Sequence, residues 1–290
     1  MTNLFNLKNL VLLFVLTFSL LPAFSHVENL CQGFVPANNL YIPAGLYSSG
    51  GISEDQFNQI MDRIEKIYAP DFAPSESFQV SREWMNGTVN AYATRFDNVR
   101  VIIMFGGLAR HKAIGVEGMA YVACHEVGHH LGGSPKRQEG DWSVTEGGAD
   151  YFATLKCLRR FFAEDDNEAI VAKLKLDPTA KAGCETQFSD KKDQMICLRS
   201  SEAARQASEL FDDLARTVKS AQYNTPETNE VPNTILFSYP SNQCRLDTML
   251  AGMLCQVSVN DRLSETDYKQ GSCYTPRDSV GFRPRCWFAP

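Results

Sequence analysis

The chain has no run of Lys or Arg, and its 28 basic residues are outnumbered by 34 acidic ones, for a formal net charge of −6. A nucleic-acid backbone needs a basic face, so that class of partner is excluded. Past the N-terminal leader no apolar stretch approaches the roughly 20 residues that a spanning helix needs, so no membrane span is expected in the mature chain. Internal repeats and low-complexity tracts are also missing, which excludes solenoids and fibrous architectures. The nine Cys include no Cys-x-x-Cys pair, which argues against a thiolate zinc knuckle. What is present is the composition of a globular protein, 44% hydrophobic and 21% charged over 290 residues, long enough for one catalytic domain with an appendage.

Residues 1–25 carry a single Lys, an apolar run over residues 10–21 and then Pro22-Ala23-Phe24-Ser25. This reads as a secretory signal peptide cleaved after Ser25. Cys31 follows Glu28-Asn29-Leu30, without the small residues expected before a lipidated Cys. An exported chain meets an oxidising compartment, so its cysteines are expected in disulfides, and an odd number leaves at least one over. Cys124, on a buried apolar stretch, is the candidate for the free thiol.

Residues 26–51 are rich in Pro, Gly, Asn and Ser and read as an extended N-terminal arm. Ser53-Glu54-Asp55-Gln56 is a capping box, and Phe57, Ile60, Met61, Ile64, Ile67 and Tyr68 follow at helical spacing. Three β-like runs over 78–84, 88–96 and 99–105 are separated by Asn86-Gly87 and Asp97-Asn98, which predicts an antiparallel meander. Asn86-Gly87-Thr88 is also a glycosylation sequon, read here as a turn. A helix is expected over 116–131, closing at Gly132-Gly133 and Pro135. The next should start near Asp141 or Ser143 and bury Val144, Tyr151, Phe152, Leu155, Leu158 and Phe162. Residues 164–194 read as a loop-rich insertion after a short helix. Ala204, Ala207, Phe211, Leu214 and Val218 give a further core helix, and the last should span 244–255. The tail 259–290 is aperiodic and expected to be stapled rather than packed. If one helix carries both Cys244 and Cys255, eleven residues at about 1.5 Å separate them by roughly 16 Å, too far to bridge. They should therefore pair elsewhere, with Cys273 and Cys286 the partners in the tail.

The helix over 116–131 contains His125-Glu126-Val127-Gly128-His129. Histidines four apart lie one above the other on a helix, so both reach one metal ion, with Glu126 beside it as a base. With 5 His and 17 Glu in the chain, H-E-x-x-H arises by chance about 0.005 times per shuffled sequence. A catalytic zinc takes three protein ligands and leaves a position open. The metzincin pattern would put a His where this chain has Pro135. The nearby carboxylates are Glu139, Asp141, Glu146 and Asp150. Glu146 is chosen as third ligand, since Glu146-Gly147-Gly148-Ala149-Asp150 lets its helix approach the metal helix closely. Asp150, one turn on, would accept the free ring N–H of a ligating His. His130 points about 100° away around the helix, and His111 reads as a loop residue.

His125 to His129, Glu146 and Asp150 together resemble the gluzincin zinc metallopeptidases, in the branch containing HtpX and the CAAX prenyl proteases. Asn90-Ala91-Tyr92-Ala93 is similar to that branch's N-A-F-A strand, and Val101 to Leu108 to the strand and loop before its metal helix. The resemblance implies an α+β fold with a gluzincin-like metallopeptidase core: a small antiparallel sheet, a metal-binding helix and surrounding helices, over residues 52–258. Taken with the signal peptide, and with the absence of that branch's membrane helices, it implies a secreted or periplasmic zinc endopeptidase that binds one zinc ion and acts on a peptide or protein. Glu126 would be the general base, and the strand over 101–105 an edge for an extended substrate. Ser238-Tyr239-Pro240-Ser241 with Arg245 resembles the H-P…R stretch of HtpX-like peptidases with Tyr239 in place of the His, which makes Tyr239 and Arg245 candidate transition-state donors. The alternatives are a non-catalytic envelope-assembly or chaperone-like factor, disfavoured by Glu126, and a latent peptidase with its cleft covered by the N-terminal arm or the tail.

Overall fold

The computed structural model describes residues 31–45, 51–216, 219–274 and 280–290. The expected signal peptide therefore lies outside the described residues, as do Val218 and parts of the arm and tail. Helix α1 (Glu54–Tyr68) is started by the reciprocal capping box, with Gln56 N donating to Ser53 Oγ at 3.2 Å and Ser53 N donating to Gln56 Oε1 at 3.0 Å. It buries Phe57, Ile60, Met61, Ile64 and Tyr68, the periodic face, and ends where Pro70 enters a 3-10 turn.

Strands β1 (Ser77–Glu83), β2 (Ala91–Phe96) and β3 (Val99–Phe105) form one sheet in the order β1-β3-β2. β2 and β3 are the expected antiparallel hairpin, with Asp97 in the left-handed region at φ 47°. The meander is corrected: β1 pairs with β3, and in parallel. The chain does reverse after β1, but β3 inserts between β1 and β2. Asn86 accepts through its side-chain Oδ1 from Thr88 N and Oγ1, and Gly107 N donates to the Asn86 backbone oxygen. Gly107 sits so close that a Cβ would come within 2.0 Å of Gly87 O. The Asn-Gly signal specified a local turn and carried no information on which strand fills the gap. β3 is thus central, so the edge expected over 101–105 does not exist.

After a single turn, α2 (Gly106–Ala109), comes α3 (Val116–Leu131), buried from Gly118 to His130. Such a helix belongs in the middle of a domain. It packs between the sheet, α1, α4 (Glu146–Phe152) and α8 (Lys191–Ala215). Its N-terminus has no local cap; Gln206 Oε1 from α8 instead accepts from Gly115 N at 2.7 Å and Gly118 N at 2.9 Å. α4 continues through a π turn (Ala153–Cys157) into α5 (Leu158–Phe161). It begins at Glu146 rather than near 141–143, because Val144 pairs with Lys136 as a β-bridge and Thr145 takes the capping position.

The segment 164–194 is helical where a loop was expected: α6 (Asn167–Val171) and α7 (Pro178–Gln187). α7 buries only Ala180 and Cys184, too few apolar positions for a period to show, although Asp177 and Pro178 form a standard start. α9 (Asn242–Leu254) matches the last expected helix. Four disulfides are present, Cys124–Cys157, Cys184–Cys197, Cys244–Cys286 and Cys255–Cys273. Cys244 and Cys255 do pair with the tail. Cys124 is not the free thiol; Cys31 is, and it is buried. The tail is packed as well as stapled: Trp287 is fully buried against Gly147, where a Cβ would come within 2.4 Å of the indole. No helix among the described residues is long and apolar enough to cross a membrane.

Candidate metal centre

Close approach of α3 and α4 builds the site. At Gly128 an added Cβ would lie 3.0 Å from Ala149 Cα, so small residues on both helices set the spacing. Thr145 accepts from Gly148 N at 3.2 Å and starts α4 with Glu146 as its first residue, aimed across at α3. The two imidazoles of α3, His125 and His129, stand edge-to-face with centroids 4.8 Å apart.

Each ring is oriented by its Nδ1. That of His125 donates to Asp150 Oδ1 at 2.8 Å, and that of His129 to the Val144 carbonyl at 3.0 Å. Both acceptors lack a proton to give, so both rings carry Nδ1–H and in the neutral form present a bare Nε2 to the same point. Glu146 Oε2 lies 3.3 Å from His125 Nε2, and Oε1 lies 3.6 Å from His129 Nε2. Yet His125 Nε2, His129 Nε2, Glu146 Oε2 and Glu126 Oε1 are buried without a hydrogen-bond partner. Leaving such atoms unpaired costs about 1–3 kcal/mol each, unless something they all face satisfies them. The three donors of His125, His129 and Glu146 lie within 4.8 Å of one another, and two imidazoles with one carboxylate are a donor set for zinc with a position left open. The residues fit the ion.

Asp150 is the keystone beneath. It is wholly buried and accepts from Tyr121 Oη at 2.5 Å, His125 Nδ1, Arg245 Nε at 2.7 Å and Arg245 Nη2 at 2.9 Å. Burial opposes its charge, but Arg245 and His125 outweigh that and hold the carboxyl well below the usual carboxylate range. Burial pulls His125 down while Asp150 and Glu146 push it up, to about 9; burial and the His125 charge leave His129 far below its ordinary value. Burial raises Glu126 to about 8, with His125 opposing and Glu146 adding, and raises Glu146 too. A dication in their midst favours the neutral imidazoles and the ionised carboxylates, so metal binding removes the conflict.

Of the other residues singled out, Tyr239 and Arg245 do lie in this region. Tyr239 Oη donates to Gly33 O at 2.5 Å. Arg245 is not on the surface: it is locked on Asp150, with Nη1 donating to Phe34 O at 2.9 Å. His130 is buried on the other side of α3, bonded through Nε2 to Val101 O at 3.1 Å and stacked on Trp142. His111 meets Asp213, away from the site. Glu139 is exposed and Asp141 binds Ser143 N, so neither competes for the metal.

The residue that was missed is Cys31. Its Sγ lies 3.8 Å from Glu126 Oε2, and with Glu126 and His129 it forms a second cluster of potential ligand atoms within 4.8 Å. Burial, with Glu126 and Glu146 adding, pushes the thiol up. The arm carrying it runs antiparallel along the outer edge of β2, where Cys31 N donates to Ala93 O at 3.1 Å and Phe34 N to Ala91 O at 3.0 Å. The odd cysteine count was the only signal for a free thiol, and it said nothing about which one.

No family model matches the chain, and comparisons with curated proteins and with solved structures find no match either.

Proposed function

We propose that this chain is an exported zinc-dependent peptide hydrolase. The observation that carries the reading is the convergence of His125 Nε2, His129 Nε2 and Glu146 Oε2, all buried and unpartnered, beside the equally unpartnered Glu126 Oε1. A structural zinc site needs no spare carboxylate; a hydrolytic one needs a base. Zinc held there supplies a Lewis acid that polarises a peptide carbonyl and acidifies water.

His125, His129 and Glu146 are the holding residues, and Asp150 and the Val144 carbonyl fix the two imidazoles in the tautomer that can hold a metal. Glu126 takes the proton of the attacking water and returns it to the leaving amine. Tyr239, whose hydroxyl already donates to a peptide carbonyl, that of Gly33, is the donor for the developing oxyanion. An extended substrate would pair with the outer edge of β2 at Ala91 and Ala93 in place of the arm residues that hold it in this structure, a mode that binds main chain with little demand on sequence. Export is supported by four disulfides, which form and persist in oxidising compartments.

The test is metal content and casein digestion of the mature protein with and without chelator. One zinc per chain is expected, and Glu126→Gln should keep it while losing about 10²–10⁴-fold in kcat. Undiminished hydrolysis by Glu126→Gln would discard the mechanism.

A further inference from the structure

Away from the metal centre, the end of α1, the run from α4 through the π turn into α5, and the segment 259–265 enclose a cavity of about 200 Å³. Its walls are apolar at Leu131, Phe152, Val259 and Leu263. Phe152, Lys156 and Arg160 recur every fourth residue, so one face of the helical run gives the cavity an apolar side chain and two cations.

Two polar groups that line it are buried and incompletely satisfied. Lys156 is 3% exposed. Its ammonium donates to Ser258 O at 2.6 Å and, among the described residues, makes no ion pair. Burial lowers it, with Asp261 opposing and Arg159 adding, to about 8, so it is still charged at neutral pH. A buried cation without a counter-charge is costly. Tyr68 is 1% exposed, and its hydroxyl has no hydrogen-bond partner. The Arg160 guanidinium lies over the Tyr68 ring, 4.5 Å from the centroid, but a guanidinium can only donate, so the phenol hydrogen lacks an acceptor. Both groups are completed by the same thing, an oxygen that carries negative charge.

The other charges around the cavity set how much. Asp71 is ion-paired with Arg160, and Glu265 with Lys136. That leaves Lys156 and the exposed Arg262 against Asp261, so one positive charge is uncancelled. A monoanion fits that balance, and a phosphate dianion overshoots it. An apolar cavity of about 150 Å³ takes a benzene-sized guest. One of about 200 Å³ holds that much hydrocarbon and a head group of a few atoms.

We propose that this cavity is a binding site for a small apolar carboxylate, whose oxygens take hydrogen bonds from the Lys156 ammonium and the Tyr68 hydroxyl while its hydrocarbon lies against Leu131, Phe152, Val259 and Leu263. Two sources share that chemistry, a short fatty acid and the free C-terminus of a peptide that ends in an apolar residue. The site uses none of the metal-centre residues, so it stands or falls independently of peptide hydrolysis.

The test is isothermal titration calorimetry of the full mature chain with hexanoate and N-acetyl-leucine, and with hexanol and N-acetyl-leucinamide as their neutral counterparts. At least one carboxylate should bind with a Kd of about 1 mM or tighter, and about 10–100-fold more tightly than its neutral counterpart, the margin of a hydrogen bond to a charged group. Lys156→Met should erase that margin, and Tyr68→Phe should weaken carboxylate binding about 2–10-fold while leaving hexanol unaffected. Tighter binding of hexanoate assigns the site to a lipid-derived acid, and tighter binding of N-acetyl-leucine to a peptide end. Equal affinity for acid and neutral probe overturns the proposal, as does a carboxylate preference that survives in Lys156→Met. Absence of binding by every probe at about 10 mM overturns it as well. The wild-type comparison of acid with neutral probe decides even if a variant fails to fold.

Discussion

Asp150 joins the stability of the fold to the chemistry of the site, and Asp150→Asn tests both together. The carboxylate accepts four hydrogen bonds, one from Tyr121, one from His125 and two from Arg245, with no exposed surface. Asn keeps the shape but offers one oxygen and an NH₂, so a donor must face donors and Arg245, 1% exposed, loses its counter-charge. Removing one partner of a buried ion pair costs about 3–5 kcal/mol, because the other charge is left desolvated. His125 also loses the acceptor that fixes its tautomer, which lowers metal affinity about 10–100-fold. Stability is measured by urea denaturation of the metal-free protein with disulfides intact, and affinity by competition with a chelator. The charge adds a pH signature. The folded carboxyl is held below the usual range, so its contribution is complete above the unfolded value of about 3.9 and is lost as the pH falls beneath it. Asp150→Asn should flatten that acid limb. Arg245→Met in the Asp150→Asn background should recover part of the loss, since the stranded cation is gone. A loss under about 1 kcal/mol, or full zinc affinity in Asp150→Asn, refutes the keystone role.

Glu146→Ala should leave the fold in place and strip the metal, read as zinc content after dialysis; retained zinc would move the third ligand elsewhere, with Asp150 first in line. Tyr239→Phe should lower kcat by about 10²–10³-fold with KM and zinc content unchanged; an unaltered kcat would pass the donor role to a backbone N–H. Replacing Cys124 and Cys157 together by Ala should cost about 2–4 kcal/mol in urea denaturation, since the bridge closes a segment with a sequence separation of 33; no loss would show that packing alone holds α3 to the π turn.

What could be read in the chain was local. α3 was readable with both its ends, because an apolar run, a His pair four apart and a Gly-Gly stop all lie within one segment. α1 was readable from a capping box completed by two residues three apart. The Glu146 and Asp150 placement followed from small residues between them, which the Gly128–Ala149 contact bears out as a device for close packing. The sheet order was not readable: Asn86-Gly87 specifies a reversal, whereas the pairing of β1 with β3 depends on a strand that comes later. α7 was hidden by having just two buried positions. Cys31 was hidden for the same kind of reason. It meets Glu126 across 95 residues, along an aperiodic arm that pairs with β2, and neither spacing nor composition reports such a contact.

The disulfides and the buried charges are neighbours along the chain, and the adjacency has a physical basis. Cys124 directly precedes His125 and is bridged to Cys157 at the end of the π turn that continues α4; Cys244 directly precedes Arg245 and is bridged to Cys286 beside Trp287. Between them these two bridges flank the His125–Asp150–Arg245 chain of hydrogen bonds. Six ionisable groups, His125, Glu126, His129, Glu146, Asp150 and Arg245, are at most 4% exposed, and taking each from water costs several kcal/mol before partners repay it. Such a cluster is favourable only while every partner stays within hydrogen-bond reach, because a shift of about an ångström leaves a desolvated charge alone. Cross-links placed one residue from the first imidazole and one from the guanidinium restrict that shift at both ends of the chain. They also destabilise the unfolded state, by about 4 kcal/mol each for separations of 33 and 42 residues in the loop-entropy model. A site this heavily charged and this dry thus draws stability from the cross-links beside it, while Cys31, the cysteine left unpaired, is buried next to Glu126.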